Sequence, residues 1–164
     1  MGSTVVAGFA SGIIVTLGIM MGLMAGTQEQ IAVISGISVV ALVEGFSDSF
    51  GEYLSQRTEK KFTIKTVWKE AILTFGAKFI IVFQFVFPFL LVPHILSLIE
   101  ATKFCIFYGI FVLSILGGYI ARQQEKRRII RTMILYNLAA IIVMIITYFA
   151  GDLISFIFQL LGLK

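Results

Sequence analysis

The sequence predicts an all-α, polytopic membrane protein with five transmembrane helices. Two observations carry that prediction. The first is composition: apolar residues make up 59% of the 164 residues and charged residues only 13%, against roughly 25% charged in a soluble domain. Mean hydropathy is +1.00, more apolar surface than a soluble core of this size can bury. The second is arrangement: five apolar segments, each close to the ~20 residues a bilayer core requires, alternate with short polar joints.

The first span covers about 4–26 and carries no charge. The second covers about 31–56. It opens with IAVISGISVVAL and ends in the acidic stretch VEGFSDSFGEYLSQ. The third, 71–93, contains Lys78 and Gln84 and two prolines, Pro88 and Pro93, which predict a kink or an irregular end. The fourth covers 104–121. The fifth covers 130–150, with the apolar run LISFIFQLLGL as a possible continuation. The joints are TQEQ (27–30), the charged segment 57–70, HILSLIEATK (94–103) and RQQEKRR (122–128). None has room for a second domain, so residues 1–164 form one transmembrane domain. The first apolar run is too long for a cleaved signal peptide and lacks a basic leader.

Basic residues predict the orientation. Arg57, Lys60, Lys61, Lys65 and Lys69 lie between spans two and three, and Arg122, Lys126, Arg127, Arg128 and Arg131 between spans four and five. The opposite side has Lys103 and Lys164. The preference of Lys and Arg for the cytoplasmic side then places the N-terminus inside and the C-terminus outside. The same distribution accounts for the net charge of +4 without nucleic acid as a partner. An odd number of spans cannot divide into two equal inverted halves, so a transporter built this way takes its symmetry from a homodimer.

Glu44, Asp48 and Glu52 follow one another at i, i+4, i+8, on one face of the second span. Measured back from Arg57 they reach depths of about 20, 13 and 7 Å. An acid in a bilayer costs roughly 2.5–3.5 kcal/mol at the helix centre, so intramembrane acids mark function or are paired. With Ser47 and Ser55 they form a ladder of hard oxygen donors, suited to a divalent cation such as Mn²⁺, Fe²⁺ or Mg²⁺ or to a proton relay. The competing reading is a structural ion pair with Lys78. Lys78 is expected at the depth of Glu52 to Asp48, either pairing with them or snorkelling to the interface.

In the first span Gly18, Gly22 and Gly26 share a four-residue spacing, as do Gly8 and Gly12. That spacing serves close packing within a subunit or a dimer seam. Met20, Met21 and Met24 read as packing residues rather than soft-metal ligands. Gln84 and Asn137 require interhelical partners, Cys105 reads as a small buried hydrophobe, and His94 has no companion ligands. A phosphate-binding loop, a paired-cysteine zinc site and a nucleophile with its base are all missing from the sequence, which predicts a non-enzyme without cofactors.

The string SDSFGEYLS, 47–55, resembles the S-M-A-x-G-E-Y-L-S signature of the vacuolar iron transporter family, which includes the nodulin-21-like proteins. SGIIVTLGIMMGLMAG (11–26) is similar to that family's first helix, FPFLLVP to its third, and GGYIARQQEKRR with AIIVMIITYFAG to its fourth and fifth. The resemblance implies a homodimer that exports Fe²⁺, and often Mn²⁺, from the cytoplasm in exchange for protons, along a path lined by helices one and two. It matches Glu52 to the family's glutamate and Glu44 to its helix-two aspartate. The family's helix-one aspartate falls at Ser11, and its helix-two methionine at Asp48. The implied metal set is therefore Glu44, Asp48, Glu52 and Ser11, all oxygen, which favours harder ions. The glutamate-rich cytoplasmic insert of many members is missing, since only 57–70 joins spans two and three. The expectation is a small, proton-coupled divalent-metal transporter in a prokaryotic plasma membrane. The alternatives are a non-transporting membrane module and a transporter of another cation.

Overall fold

The structure is a computed structural model that describes residues 3–58, 64–92, 95–124 and 129–162, without the side chains of 3–7 and 123–124. Of the residues singled out above, Lys60, Lys61, Pro93, His94, Lys126, Arg127, Arg128 and Lys164 lie outside that description.

Among the described residues, five helices are long and apolar enough to cross a membrane. They are α1 (Ser3–Gly26), α2 (Gln30–Thr58), α3 (Ile64–Phe83) with its continuation, α5 (Leu98–Gln124) and α6 (Ile129–Leu160). The third span leaves α3 through a 3-10 turn, Gln84–Val86, and ends in the single turn α4 (Phe87–Leu90). Pro88 causes that irregularity. It has no N–H to offer the carbonyl of Gln84, four residues back. The N–H of Phe87 takes that carbonyl instead, one residue early, which tightens the turn.

α3 begins at Ile64, seven residues before the span expected from hydropathy. The charged segment after residue 63 is thus helix and not joint, and Lys78 lies a full fourteen residues inside its helix. α6 runs on to Leu160 without a break at residue 150. At 1.5 Å per residue its 32 residues span about 48 Å, beyond the ~30 Å hydrocarbon core.

α1 is the hub, packing on α2, α3, α5 and α6. Ala10, Ile13, Leu17 and Met20 recur at helical spacing and are wholly buried. Gly18, Gly22 and Gly26 all face α6. A Cβ on Gly18 would lie 2.7 Å from Val143 Cγ1, one on Gly22 3.2 Å from the Thr147 carbonyl oxygen, and one on Gly151 inside the radius of the Gly22 carbonyl oxygen. The glycine spacing is therefore used within the subunit, to bring two backbones together. α6 is otherwise the least covered helix. Its buried residues are Ala140, Met144 and Gly151, and Ile134, Ile142, Ile145, Ile146 and Phe149 stay exposed.

Gln84 and Asn137 each find an interhelical partner, although Asn137 Oδ1 is buried without one among the described residues. Tyr108 on α5 donates to Gln84 Oε1 at 2.9 Å, and Asn137 on α6 donates to Ser114 Oγ at 2.7 Å. Cys105 is buried, its thiol directed at the Phe85 carbonyl at 3.6 Å.

Candidate functional site

The acidic face of α2 lies along α3 and the first turns of α1, at the end of the bundle where α1 begins. Lys78 is central to it. Its residue is 1% exposed, yet it carries an ammonium group. Nζ lies 2.8 Å from Glu44 Oε2, donates to Asp48 Oδ2, and reaches Ser11 Oγ at 3.5 Å. α1 makes room for this cluster by omitting side chains. A Cβ on Gly8 would sit 3.1 Å from Asp48 Oδ2, and one on Gly12 3.1 Å from Lys78 Cε.

Lys78 reaches one turn deeper than expected, to Asp48 and Glu44 instead of Glu52 and Asp48. The cause is the early start of α3, which places its register differently against α2. Of the four residues named as a metal set, the structure brings Glu44, Asp48 and Ser11 around the Lys78 ammonium. Glu52 belongs to a second cluster one turn nearer the end of α2. Gln56 Nε2 donates to Glu52 Oε1 at 2.7 Å and also to Glu70 Oε2. Among the described residues, no three His, Cys, Asp or Glu side chains converge as a ligand group.

Gln56 and Glu70 were not among the residues expected at the site. Gln56 extends the i+4 series 44, 48, 52, 56, as a neutral amide after three acids. Glu70, Thr74 and Lys78 form a matching i+4 series on α3, hidden because 57–70 reads as a joint. The two series run antiparallel. Gln56 meets Glu70 at one end, and Asp48 with Glu44 meets Lys78 at the other.

Between them lies a cavity of about 520 Å³, lined by Ser11, Ser47, Asp48, Glu52, Ser55, Thr74 and Lys78 with the glycine backbones of 8 and 51. Among the described residues the charges do not balance. One ammonium faces two carboxylates at the deep cluster, and the outer pair, Glu52 and Glu70, shares one neutral amide. The Gln56 amide uses both its N–H donors on them, and its buried Oε1 has no partner among the described residues. An excess of negative charge around such a cavity favours cations over anions. The oxygen atoms present suit hard ions.

Comparison with protein-family models, curated proteins and solved structures finds no match to this chain.

Proposed function

We propose that the chain is a proton-coupled transporter of divalent cations, with Fe²⁺ or Mn²⁺ as cargo, working as a homodimer and moving metal out of the cytoplasm. The observation that carries the reading is the net-negative polar seam between α2 and α3, open to a cavity of about 520 Å³. The resemblance of SDSFGEYLS to the vacuolar iron transporter signature supports the choice of cargo. Arg57, Lys65, Lys69, Arg122 and Arg131 all lie at the cavity's end of the bundle, which supports a cytoplasmic opening.

In this reading Glu52 and Glu70, which share the Gln56 amide, receive the cation at the mouth. Asp48 and Glu44 receive it deeper. Lys78 acts as a resident competitor. Its ammonium holds the deep carboxylates until a cation displaces it, and it returns when the cation leaves. Protons arriving from the far side neutralise the same carboxylates and release the metal, since proton and metal compete for one base.

The test is Mn²⁺ and Fe²⁺ flux into proteoliposomes under an imposed pH gradient, with Asp48→Asn and Glu44→Gln beside the parent. Loss of flux in both variants, with the dimer intact, is the expected result. Full flux in both would remove the site from the mechanism.

The Lys78 ion pairs also favour a second reading, a non-transporting membrane module in which the cluster only sets packing. It predicts no saturable divalent-cation binding by the parent protein in calorimetric titration.

A further inference from the structure

α2 and α3 build a second feature, on the side of the pair away from the acids. We propose that the groove between them binds one anionic glycerophospholipid, its acyl chain along the groove and its phosphate at Arg57. The groove holds about 390 Å³ and is walled by Phe46, Phe50 and Tyr53 from α2 and by Trp68, Ile72 and Phe75 from α3. Its residues are graded along the membrane normal. Phe46 packs on Phe75 at the deep end, with ring centroids 4.7 Å apart. Tyr53 packs on Trp68 nearer the surface at 5.1 Å. Arg57 closes the series, its Nη1 donating to the Tyr53 hydroxyl at 2.6 Å and its guanidinium 5.9 Å from that ring.

This order is that of one bilayer leaflet. Apolar side chains suit the acyl region, Tyr and Trp the headgroup level, and a cation the phosphate plane. The length agrees as well. From Phe46 to Arg57 is eleven residues, about 16 Å of helix, and half of a ~30 Å hydrocarbon core is about 15 Å. The tyrosine holds Arg57 at the rim and, among the described residues, takes one guanidinium donor, leaving others for a phosphate. Lys65 lies on the same α3 stripe as Trp68, Ile72 and Phe75, at i, i+3, i+7 and i+10, and adds a second exposed charge at that level. A zwitterionic headgroup would set its own ammonium against this rim, and an anionic one does not. The inference is independent of which cargo, if any, the acidic face carries.

Trp68 is the chain's one tryptophan and lines the groove, so it reports occupancy directly. The full chain is reconstituted in vesicles, and Trp68 fluorescence is measured as brominated phosphatidylglycerol or brominated phosphatidylcholine replaces the unbrominated lipid. The expected result is quenching by the anionic lipid at an about fivefold lower mole fraction, the factor one basic contact at a membrane surface provides. Arg57→Gln should erase most of that preference, and Arg131→Gln, at the same end of the bundle but outside the groove, should leave it intact. Equal quenching by the two lipids overturns the proposal. So does a preference that survives Arg57→Gln. Absence of quenching by either lipid also overturns it and assigns the groove to a second copy of the chain.

Discussion

The two halves of α1 use one sequence device for opposite ends. In the second half Gly18, Gly22 and Gly26 close on the backbone and side chains of α6, with carbonyl oxygens and Gly151 among the nearest atoms. In the first half Gly8 and Gly12 face the tips of Asp48 and Lys78. Backbone cannot yield to an added methyl group, whereas the far end of a lysine can. Four-residue glycine spacing thus builds a rigid seam in one place and a reshapable pocket in the other. What decides between them is the neighbour and not the glycines.

The largest expected effect lies on the pocket side. Lys78→Met leaves Glu44 and Asp48 facing each other beside an apolar stem. Breaking a buried ion pair by removing one partner costs about 3–5 kcal/mol, discounted somewhat here because the Asp48 side chain is 37% exposed. Unfolding in mixed micelles measures the loss. Adding Asp48→Asn and Glu44→Gln to Lys78→Met should recover most of it, because no unpaired charge then remains. Failure of the triple variant to recover would mean that Lys78 stabilises by packing and not by charge.

On the seam side, Gly151→Ala should cost about 1–3 kcal/mol, the usual range for overpacking, since the new methyl collides with the Gly22 carbonyl. Gly76→Ala is its control. Nothing lies within 4 Å of a Cβ there, and relief of glycine's entropy should stabilise by about 0.5–1 kcal/mol. Equal effects at the two positions would dissolve the distinction between seam and open helix. Gln56→Leu should cost less, about 1 kcal/mol, because Glu70 is exposed and water can replace one of the lost donors. Its sharper effect is expected on flux, which should shift toward higher cation concentrations if the amide positions Glu52 and Glu70 at the mouth.

The membrane class, the number of spans and the acidic face of α2 were all readable from residues 31–56 and the apolar runs around them. Hydropathy placed the start of the third span seven residues late, because Lys65, Lys69 and Glu70 look like a joint. An amphipathic end dips into the interface and carries its charges to water, so hydropathy under-reads it. That one error displaced Lys78 by a turn and hid Glu70. Gln56 was missed for another reason. Its series is polar rather than acidic, and only the opposing helix reveals that an amide is needed between two carboxylates. The glycine series could not be assigned to a seam or a pocket before the neighbours of each were known.

Gly12→Ala is the smallest change and tests the comparison most directly. Its methyl would lie 3.1 Å from Lys78 Cε and 3.2 Å from Val82 Cγ2. Both atoms are at side-chain ends and can give by a few tenths of an ångström. The gain in helix propensity, about 0.5–1 kcal/mol, offsets that adjustment, so stability should stay within about 0.5 kcal/mol of the parent. The lysine, however, must move relative to Glu44 and Asp48, and a resident competitor held less well yields more easily to a cation. Divalent-cation affinity in calorimetric titration should therefore rise in Gly12→Ala while the melting curve stays in place. If stability falls as far as in Gly151→Ala, the first half of α1 is a packed seam like the second, and Lys78 has no room to act as a movable counter-ion.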